Sequence, residues 1–229
     1  STARDIINLW VARMVYSGLF FMKKSPFSDV IIHGTILTKD GKRMSKSLGT
    51  GIDPLKLIEQ YGADATRFAL VWQAMGGQDI RWSEEALMGG KKFLNKLWNA
   101  SRFVLERTDG IRIPRSAKPR TAADKKILVA FAKTKRAVSR HVDSYEFGTA
   151  LHELYEFFWH GFCDGYLEAA KVQLADEKER ASTAAILHAV LHDSLKLLHP
   201  FLPHITEAIW AEVPTSGKKL LMIESWPRS

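Results

Sequence analysis

The stretch Thr38-Lys39-Asp40-Gly41-Lys42-Arg43-Met44-Ser45-Lys46-Ser47-Leu48-Gly49-Thr50-Gly51 decides how the first third of the chain is arranged. A helix start follows it at Asp53-Pro54, where a capping carboxylate precedes a proline at the first helical position. A β-branched run at residues 28–33 precedes it and is typical of a buried parallel strand. The stretch is therefore predicted to be a loop at the end of a sheet strand, where open α/β sheets bind ligands.

The loop concentrates positive charge and hydroxyl groups. The side chains that carry these groups are Lys42, Arg43, Lys46, Ser45 and Ser47. No acidic residue lies between Lys42 and Thr50, so we expect no local neutralisation of these cations. Such a loop suits a polyphosphate whose negative charge grows as a phosphorus–oxygen bond breaks. The alternative is a solvated basic loop without a ligand.

Composition excludes several classes of protein. The chain has 229 residues, of which 46% are hydrophobic and 25% are charged, as expected of a globular protein with one or two cores. No apolar run approaches the roughly 20 residues of a membrane span, and no signal-peptide pattern opens the chain. A single cysteine, Cys163, excludes an internal disulfide, fits a reducing cytoplasm and is expected to be a small buried core residue. The net charge of +8 favours an anionic partner such as nucleic acid.

Residues 84–107 are predicted to form one long amphipathic helix. At 100° per residue, its core-facing stripe comprises Leu94, Leu97, Trp98, Ser101, Val104 and Leu105. The opposite face carries Lys92, Asn95, Lys96, Asn99 and Glu106, with Arg102 at its edge and Phe103 in its middle. An aromatic ring among such donors is typical of a platform for stacking nucleotide bases. The alternative is that a neighbouring helix covers Phe103.

The rest of the chain is predicted to be mostly helical. Residues 4–22 are apolar on most sides and predict a largely buried helix. Residues 108–121 form a connecting loop, and apolar positions at three- and four-residue spacing predict an antiparallel helix bundle made of residues 121–143, 145–171, 177–198 and 201–212. His188 and His192 have the spacing of zinc ligands but lack a third ligand, so we expect a solvated or capping role and no structural metal.

Several of these segments resemble one protein family. Arg43-Met-Ser-Lys-Ser47 resembles the Lys-Met-Ser-Lys-Ser signature of class I aminoacyl-tRNA synthetases, with arginine at the first position. The segments that extend the resemblance to the valyl branch are Asp5–Met14, Tyr61–Phe68 and Lys96–Phe103. The resemblance implies a mostly α chain with a small α/β part. Residues 1–82 would be the end of a Rossmann-type catalytic domain, and residues 83–229 would be a helical-bundle anticodon-binding domain.

The resemblance also implies substrates and sites: ATP with Mg²⁺, valine and tRNA(Val). Lys46 would stabilise the leaving pyrophosphate. The residues assigned to the ATP and adenylate site are Lys46, Arg43, Ser45, Ser47, His33, Gly34 and Asp5. Ile6 and Trp10 would line a pocket for the amino acid. The residues assigned to the anticodon are Lys96, Arg102, Phe103, Lys92, Asn95 and Asn99.

The resemblance covers the chain but only the later part of the family. The family's second signature, His-Ile-Gly-His, is absent, as is a segment of editing-domain size. We therefore expect a fragment of a cytoplasmic, monomeric enzyme that is inactive alone. An isoleucyl- or leucyl-type synthetase and a non-catalytic tRNA-binding module remain as alternatives.

Overall fold

The computed structural model describes residues 1–45, 49–114, 118–214 and 219–227. Helices dominate these ranges, which confirms the predicted fold class. After the N-terminal segment the α-helices are α2 (Pro54–Tyr61), α3 (Ala63–Gln73), α4 (Glu84–Thr108), α5 (Ala122–Asp143), α6 (Phe147–Glu156), α7 (Leu167–Gln173), α8 (Arg180–Leu198) and α9 (Pro203–Glu212). A π-helical stretch, Phe157–Tyr166, joins α6 to α7, and a single 3₁₀ turn, Leu221–Ile223, follows α9.

The α/β part is smaller and more open than predicted. Strand β1 (Thr2–Ala3) pairs in parallel with β2 (Ile32–His33), and β3 (Ile36–Leu37) pairs in parallel with β4 (Ile80–Arg81). The parallel pairing agrees with the prediction for residues 28–33. The predicted burial is wrong, because both residues of β2 are exposed. Strands of two residues are too short to show an alternating pattern, so β3 and β4 had no signal in the sequence.

Residues 4–22 are helical, as predicted, but they are not buried. The successive turns are Arg4–Ile6 (3₁₀), Ile7–Val11 (π), α1 (Ala12–Ser17) and Gly18–Met22 (π). Trp10 is 60% exposed, and Tyr16 and Phe21 are each 74% exposed. Apolar residues on every side indicate that a helix is covered in its working state. The pattern does not show which polypeptide covers this helical segment, and the described residues of this chain leave most of it exposed.

Helix α2 begins where the sequence predicts. Asp53 caps α2 by accepting a hydrogen bond from the backbone N–H of Leu55 at 3.0 Å, and Pro54 is the first helical residue. Gly62 separates the two helices with φ +92°, a conformation that favours glycine. Ser83 occupies the N-cap position of α4, but its side chain makes no capping hydrogen bond.

Two charged residues of α3 hold the junction between α8 and α9. The Arg67 guanidinium donates to the carbonyl of Phe201 at 3.1 Å and to that of Pro200 at 2.8 Å. The buried Asp64 carboxylate accepts a hydrogen bond from the N–H of Ile205 at 2.7 Å, in the first turn of α9. The segment that carries the loop is thereby fixed to the far end of the bundle.

One large core lies inside the bundle, and a small one lies under the loop. The predicted apolar stripe of α8 is fully buried: Leu187, Val190, Leu191, Leu195 and Leu198. Cys163 is buried in the same core, as expected. The core continues into α3, where the ring of Phe68 lies 5.5 Å from that of Phe93. The smaller core contains Ala69, Trp82 and Leu87. No helix in the described residues combines the length and apolar character needed to cross a membrane.

Candidate functional site: a cationic loop and a helical face

The cationic loop begins as a tight turn directly after β3. The N–H of Thr38 donates to the carbonyl of Lys42 at 2.8 Å, and the N–H of Gly41 donates to the carbonyl of Thr38 at 2.9 Å. Gly41 has φ +77°, which requires glycine in such a turn. An isolated bridge between Leu37 and Arg43 closes the turn. The turn therefore positions Arg43 beside β3, at the edge of the sheet.

The neck of the loop is closed by hydrogen bonds between Ser45 and Thr50. The N–H of Ser45 donates to Oγ1 of Thr50 at 2.9 Å, and the N–H of Thr50 donates to the carbonyl of Ser45 at 3.1 Å. Met44 anchors the loop by packing against the small core. Lys46 and Ser47 lie outside the described residues.

Arg43 and Asp5 form an ion pair, although 38 residues separate them in the sequence. Nη2 of Arg43 lies 2.5 Å from Oδ2 of Asp5. The expectation that the loop cations stay unneutralised is therefore wrong for Arg43. The pair connects two predicted adenylate-site residues on different elements. Both side chains remain accessible, at 72% for Arg43 and 43% for Asp5, so a ligand can reach either group.

Asp79 ties the two strand pairs together, which sequence reasoning did not predict. Its Oδ1 accepts a hydrogen bond from the N–H of Thr35 at 2.8 Å, and its Oδ2 pairs with Nη2 of Arg4 at 2.5 Å. The backbone hydrogen bond from Thr35, with the neighbouring Arg4 charge, lowers the pKa of Asp79 below its ordinary value. Asp79 thus positions the backbone that runs from β2 into β3.

His33 and Gly34 lie at this same edge. The His33 ring is exposed, and its Nδ1 lies 3.0 Å from the carbonyl oxygen of Gly34. A Cβ atom on Gly34 would lie 1.9 Å from the carbonyl oxygen of Gln78. Glycine is therefore required here by a close approach of two backbone segments, whatever else this position contacts.

Ile6 and Trp10 do not form a pocket with the described residues. Ile6 is 39% exposed and Trp10 is 60% exposed, on the uncovered side of residues 4–22. Their assignment to an amino-acid pocket stays a prediction. It requires a second wall from polypeptide that the described residues do not supply.

The predicted polar face of α4 is accessible. Lys92, Asn95, Asn99 and Arg102 are exposed, while Lys96 and Phe103 are half-buried. The predicted core stripe is buried at Leu97, Ser101 and Val104. Trp98 departs from that prediction because it is 42% exposed. It lines a groove of about 370 Å³ between α4 and α9 that also includes Arg102 and Ile209.

Lys96 is held by partners on the π-helical stretch. Its Nζ lies 2.8 Å from Oδ1 of Asp164 and 5.2 Å from the centroid of the Trp159 ring. The hydrogen bond to Asp164 raises the pKa of Lys96 and lowers that of Asp164. His160 contacts the same carboxylate, with Nδ1 3.2 Å from Oδ2. Trp159, His160 and Asp164 all lie more than 60 residues after Lys96 in the sequence, so residue spacing could not reveal this cluster.

Phe103 has two cations close to its ring and lines a groove. The guanidinium carbon of Arg107 and Nζ of Lys171 each lie 5.8 Å from its ring centroid. The groove measures about 410 Å³ and is also lined by Ile111 and Arg180. The ring packs on the main core with one side and is not sealed inside the bundle. This arrangement can accept a planar, anionic ligand such as a nucleotide.

The histidine pair on α8 has a structural explanation. Nε2 of His188 lies 2.7 Å from Oγ1 of Thr108, and burial lowers the pKa of His188. His188 is therefore half-buried and hydrogen-bonded to a side chain, which differs from the expected solvated or capping role. His192 contacts Asp193 and the Trp210 ring. Within the described residues, no group of three or more histidine, cysteine, aspartate or glutamate side chains has the geometry of a metal site.

Two family profiles match the chain. Residues 1–83 match the family described as "tRNA synthetases class I (I, L, M and V)". Residues 124–229 match the family described as "Anticodon-binding domain of tRNA ligase". The cationic loop lies in the first match, and α4 lies between the two.

Curated relatives extend over nearly the whole chain. The valine–tRNA ligase of Bacillus thuringiensis subsp. konkukian is 46% identical over 99% of this chain, and that of Carboxydothermus hydrogenoformans is 47% identical over the same share. The chain spans about a quarter of their length, 26% in each case. A LeuRS chain from a ternary LeuRS–tRNA–LeuAMS complex of Agrobacterium radiobacter K84 superposes with a TM-score of 0.74. It is 21% identical, and the match covers 94% of this chain and 26% of that one.

Proposed function

Because this chain belongs to the class I aminoacyl-tRNA synthetases, we propose that it is the later part of a valine–tRNA ligase. In the proposed reaction the valine carboxylate attacks the α-phosphate of ATP and pyrophosphate leaves. The valyl group then passes from the adenylate to the terminal ribose of tRNA(Val). This chain supplies the cationic loop and the helical face that contacts the anticodon.

The observation that carries the proposal is the ion pair between Arg43 and Asp5. Asp5 closely follows β1, and Arg43 is bridged to Leu37 of β3, so their contact at 2.5 Å supports a site beside the ends of these strands. That edge is where α/β sheets bind ligands. An accessible surface pair of this kind contributes only about 0–1 kcal/mol to stability. A ligand can therefore replace Asp5 as the partner of Arg43 at little cost in stability.

Each loop residue has a role that follows from its chemistry. Lys46 is a point cation that stabilises the charge developing on pyrophosphate. Arg43 is planar and can bind phosphate oxygens with two parallel hydrogen bonds, after it exchanges Asp5 for the ligand. Ser45 and Ser47 donate hydroxyl hydrogen bonds to the phosphates. His33 and Gly34 border the same edge, and Asp5 contacts the adenylate.

Mg²⁺ belongs to the proposed substrate rather than to a resident site. Protein sites for Mg²⁺ commonly use one or two carboxylates together with substrate phosphates. Among the described residues, the carboxylates at the sheet edge, such as Asp5 and Asp79, are each paired with an arginine and do not form a cluster of metal ligands. We therefore propose that Mg²⁺ arrives bound to ATP.

The helical face of α4 contacts the anticodon in this proposal. Phe103 stacks on a base, and stacking of this kind is worth about 1–3 kcal/mol per base. Lys96 and Arg102 contact phosphates or base edges. The neighbouring exposed donors are Lys92, Asn95 and Asn99. The groove beside Phe103 supports this assignment because the Arg107 and Lys171 cations each lie 5.8 Å from the ring centroid.

Valine is the proposed amino acid, with Ile6 and Trp10 on one wall of its pocket. Identity with valine–tRNA ligases supports valine over isoleucine or leucine. The test is a Trp10→Ala variant of the full-length enzyme in ATP–pyrophosphate exchange with each amino acid. We expect a changed preference between valine and isoleucine. An unchanged preference would remove Trp10 from the pocket.

The catalytic role is tested with the loop arginine. In the full-length enzyme, Arg43→Ala is expected to slow ATP–pyrophosphate exchange by about 100-fold or more, as the loss of one transition-state donor typically does. Lys56→Ala on α2 is the matched control, because Lys56 is an exposed cation outside the loop. Equal rates for the two variants would contradict the proposed role of Arg43.

The second candidate is a stand-alone tRNA-binding module without catalysis. The accessible groove at Phe103 favours it, since that groove lies outside the segment that carries the loop. The two candidates differ in the full-length protein, because only the ligase exchanges pyrophosphate into ATP. We further propose a cytoplasmic monomer, and the 229-residue chain alone is expected to bind tRNA without exchanging pyrophosphate.

A further inference from the structure

Helix α5 carries the greatest concentration of positive charge in the described bundle, although no predicted site lies on it. Six lysines and arginines stand against two aspartates in this helix, a net charge of +4, which is half of the +8 of the whole chain. Helix α4, with the proposed anticodon face, has five cations against three glutamates, a net charge of +2. The helix with the higher net positive charge is therefore α5, and not α4, to which the predicted anticodon residues belong.

Five of the six cations of α5 lie on one exposed side. At 100° per residue they fall within an arc of about 100°, and all but Lys125 and Arg136 repeat every seven residues. We call these five side chains the α5 stripe: Lys125, Lys126, Lys133, Arg136 and Arg140. Val129 lies within the same arc and is 71% exposed, so no other described element covers this side of the helix. Lys126 and Arg140 are about 21 Å apart along the helix axis.

The stripe is not neutralised. Among the described residues, none of its five members makes an ion pair with a carboxylate within 4 Å. The sixth cation, Lys135, differs because it turns towards α8 and pairs with Asp193 at 3.1 Å. Unpaired like charges along one helix side repel one another, which is unfavourable unless an anionic partner compensates.

One end of the stripe lies beside the π-helical stretch that pairs with Lys96 of the proposed anticodon face. A groove of about 260 Å³ separates α5 from the π-helical stretch Phe157–Tyr166, and Lys126 and His160 both line it. His160 also contacts Asp164, the carboxylate that pairs with Lys96 of α4. A single extended polyanion can therefore contact α4 and α5 across this stretch.

We propose that the α5 stripe binds the ribose-phosphate backbone of the tRNA, outside the anticodon loop and without reading its sequence. Lysines and arginines spaced along a helix suit a chain of phosphates, because each contact releases a counterion and needs no particular base. This proposal rests on the proposed tRNA-charging function and adds a second contact surface to it.

The test is a triple variant of the full-length protein, Lys126→Gln/Lys133→Gln/Arg140→Gln. It removes the three stripe residues that are spaced seven residues apart along α5. Three lost phosphate contacts should reduce the slope of log K against log [salt] by about 2–3, and weaken binding about 10–100-fold at 0.1 M salt. The loss should be equal for tRNA(Val) and for a tRNA with another anticodon. Phosphates protected by the wild type outside the anticodon loop should lose protection in a backbone footprint.

The matched control removes three exposed, unpaired cations elsewhere: Lys24→Gln/Lys56→Gln/Lys178→Gln. It should retain the wild-type affinity and slope, and thermal melting should show that both triple variants fold. An unchanged slope in the stripe variant, with weaker binding by Phe103→Ala, would overturn the stripe and leave the proposed function intact. A wild type that binds neither tRNA would overturn both. Binding to phosphatidylserine vesicles that depends on the stripe, without an effect on tRNA, would also overturn the proposal.

Discussion

Replacement of Asp64 should show how strongly the loop-bearing segment is fixed to the bundle. The Asp64 carboxylate is 5% exposed and accepts a 2.7 Å hydrogen bond from Ile205, with a weaker contact at 3.4 Å from the N–H of His204. A hydrogen bond to a charged group is worth about 1.5–3 kcal/mol, and a carboxylate at a helix N-terminus adds about 0.3–1 kcal/mol. These two effects overlap, so Asp64→Ala should lower the free energy of unfolding by about 2–3 kcal/mol.

Urea denaturation followed by circular dichroism measures this change. For a chain of this size the same loss should lower Tm by about 4–12 °C. Asp64→Asn retains an acceptor oxygen and should lose about 1 kcal/mol. Asp53→Ala is a comparison with an exposed cap, for which the expected loss is also about 1 kcal/mol. An Asp64→Ala loss no larger than that of Asp53→Ala would refute the conclusion that α3 holds the start of α9.

Three further predictions follow from single positions. Gly34→Ala should destabilise the protein by about 1–3 kcal/mol in urea denaturation, because its Cβ would lie 1.9 Å from the Gln78 carbonyl oxygen; Gly89→Ala, with open space around it, should be neutral or stabilising. Burial lowers the pKa of His188 in the folded protein. On acidification the unfolded state therefore takes up its proton at a higher pH than the folded state does, and stability should fall as the pH drops below about 6.5. His188→Gln should flatten that dependence between pH 7.5 and 5.5, and an equally steep profile would contradict it. Burial raises the pKa of Cys163 to about 12, so iodoacetamide should label it at pH 8 only after denaturation; rapid labelling of the native protein would show that the thiol is exposed.

Local patterns predicted the helices well because each depends on neighbouring residues. The boundaries of α4 and the buried positions Leu97 and Val104 follow from a 3.6-residue period and from the glutamates at the helix start. The Asp53-Pro54 cap is equally local, since the capping oxygen and its N–H donor lie two residues apart.

Features that depend on tertiary contacts could not be predicted. The Arg43–Asp5 pair joins residues 38 positions apart, and no spacing rule connects them. Trp98 fits the core stripe of α4 by angle, but α9 leaves a groove beside it, so the ring is partly exposed. The exposure of residues 4–22 has the same origin, because a sequence shows that a surface is apolar without showing what covers it.

The most direct test of the central claim is the affinity of the full-length protein for a set of purified tRNAs, measured for the wild type and for Phe103→Ala. We predict preferential binding of tRNA(Val), and a loss of about 1–3 kcal/mol in Phe103→Ala, the value of one stacked base. That loss should disappear when the anticodon loop of tRNA(Val) is removed, because the stacked base is then absent. Equal affinity for every tRNA, together with no effect of Phe103→Ala, would contradict the assignment of this chain to the recognition of tRNA(Val).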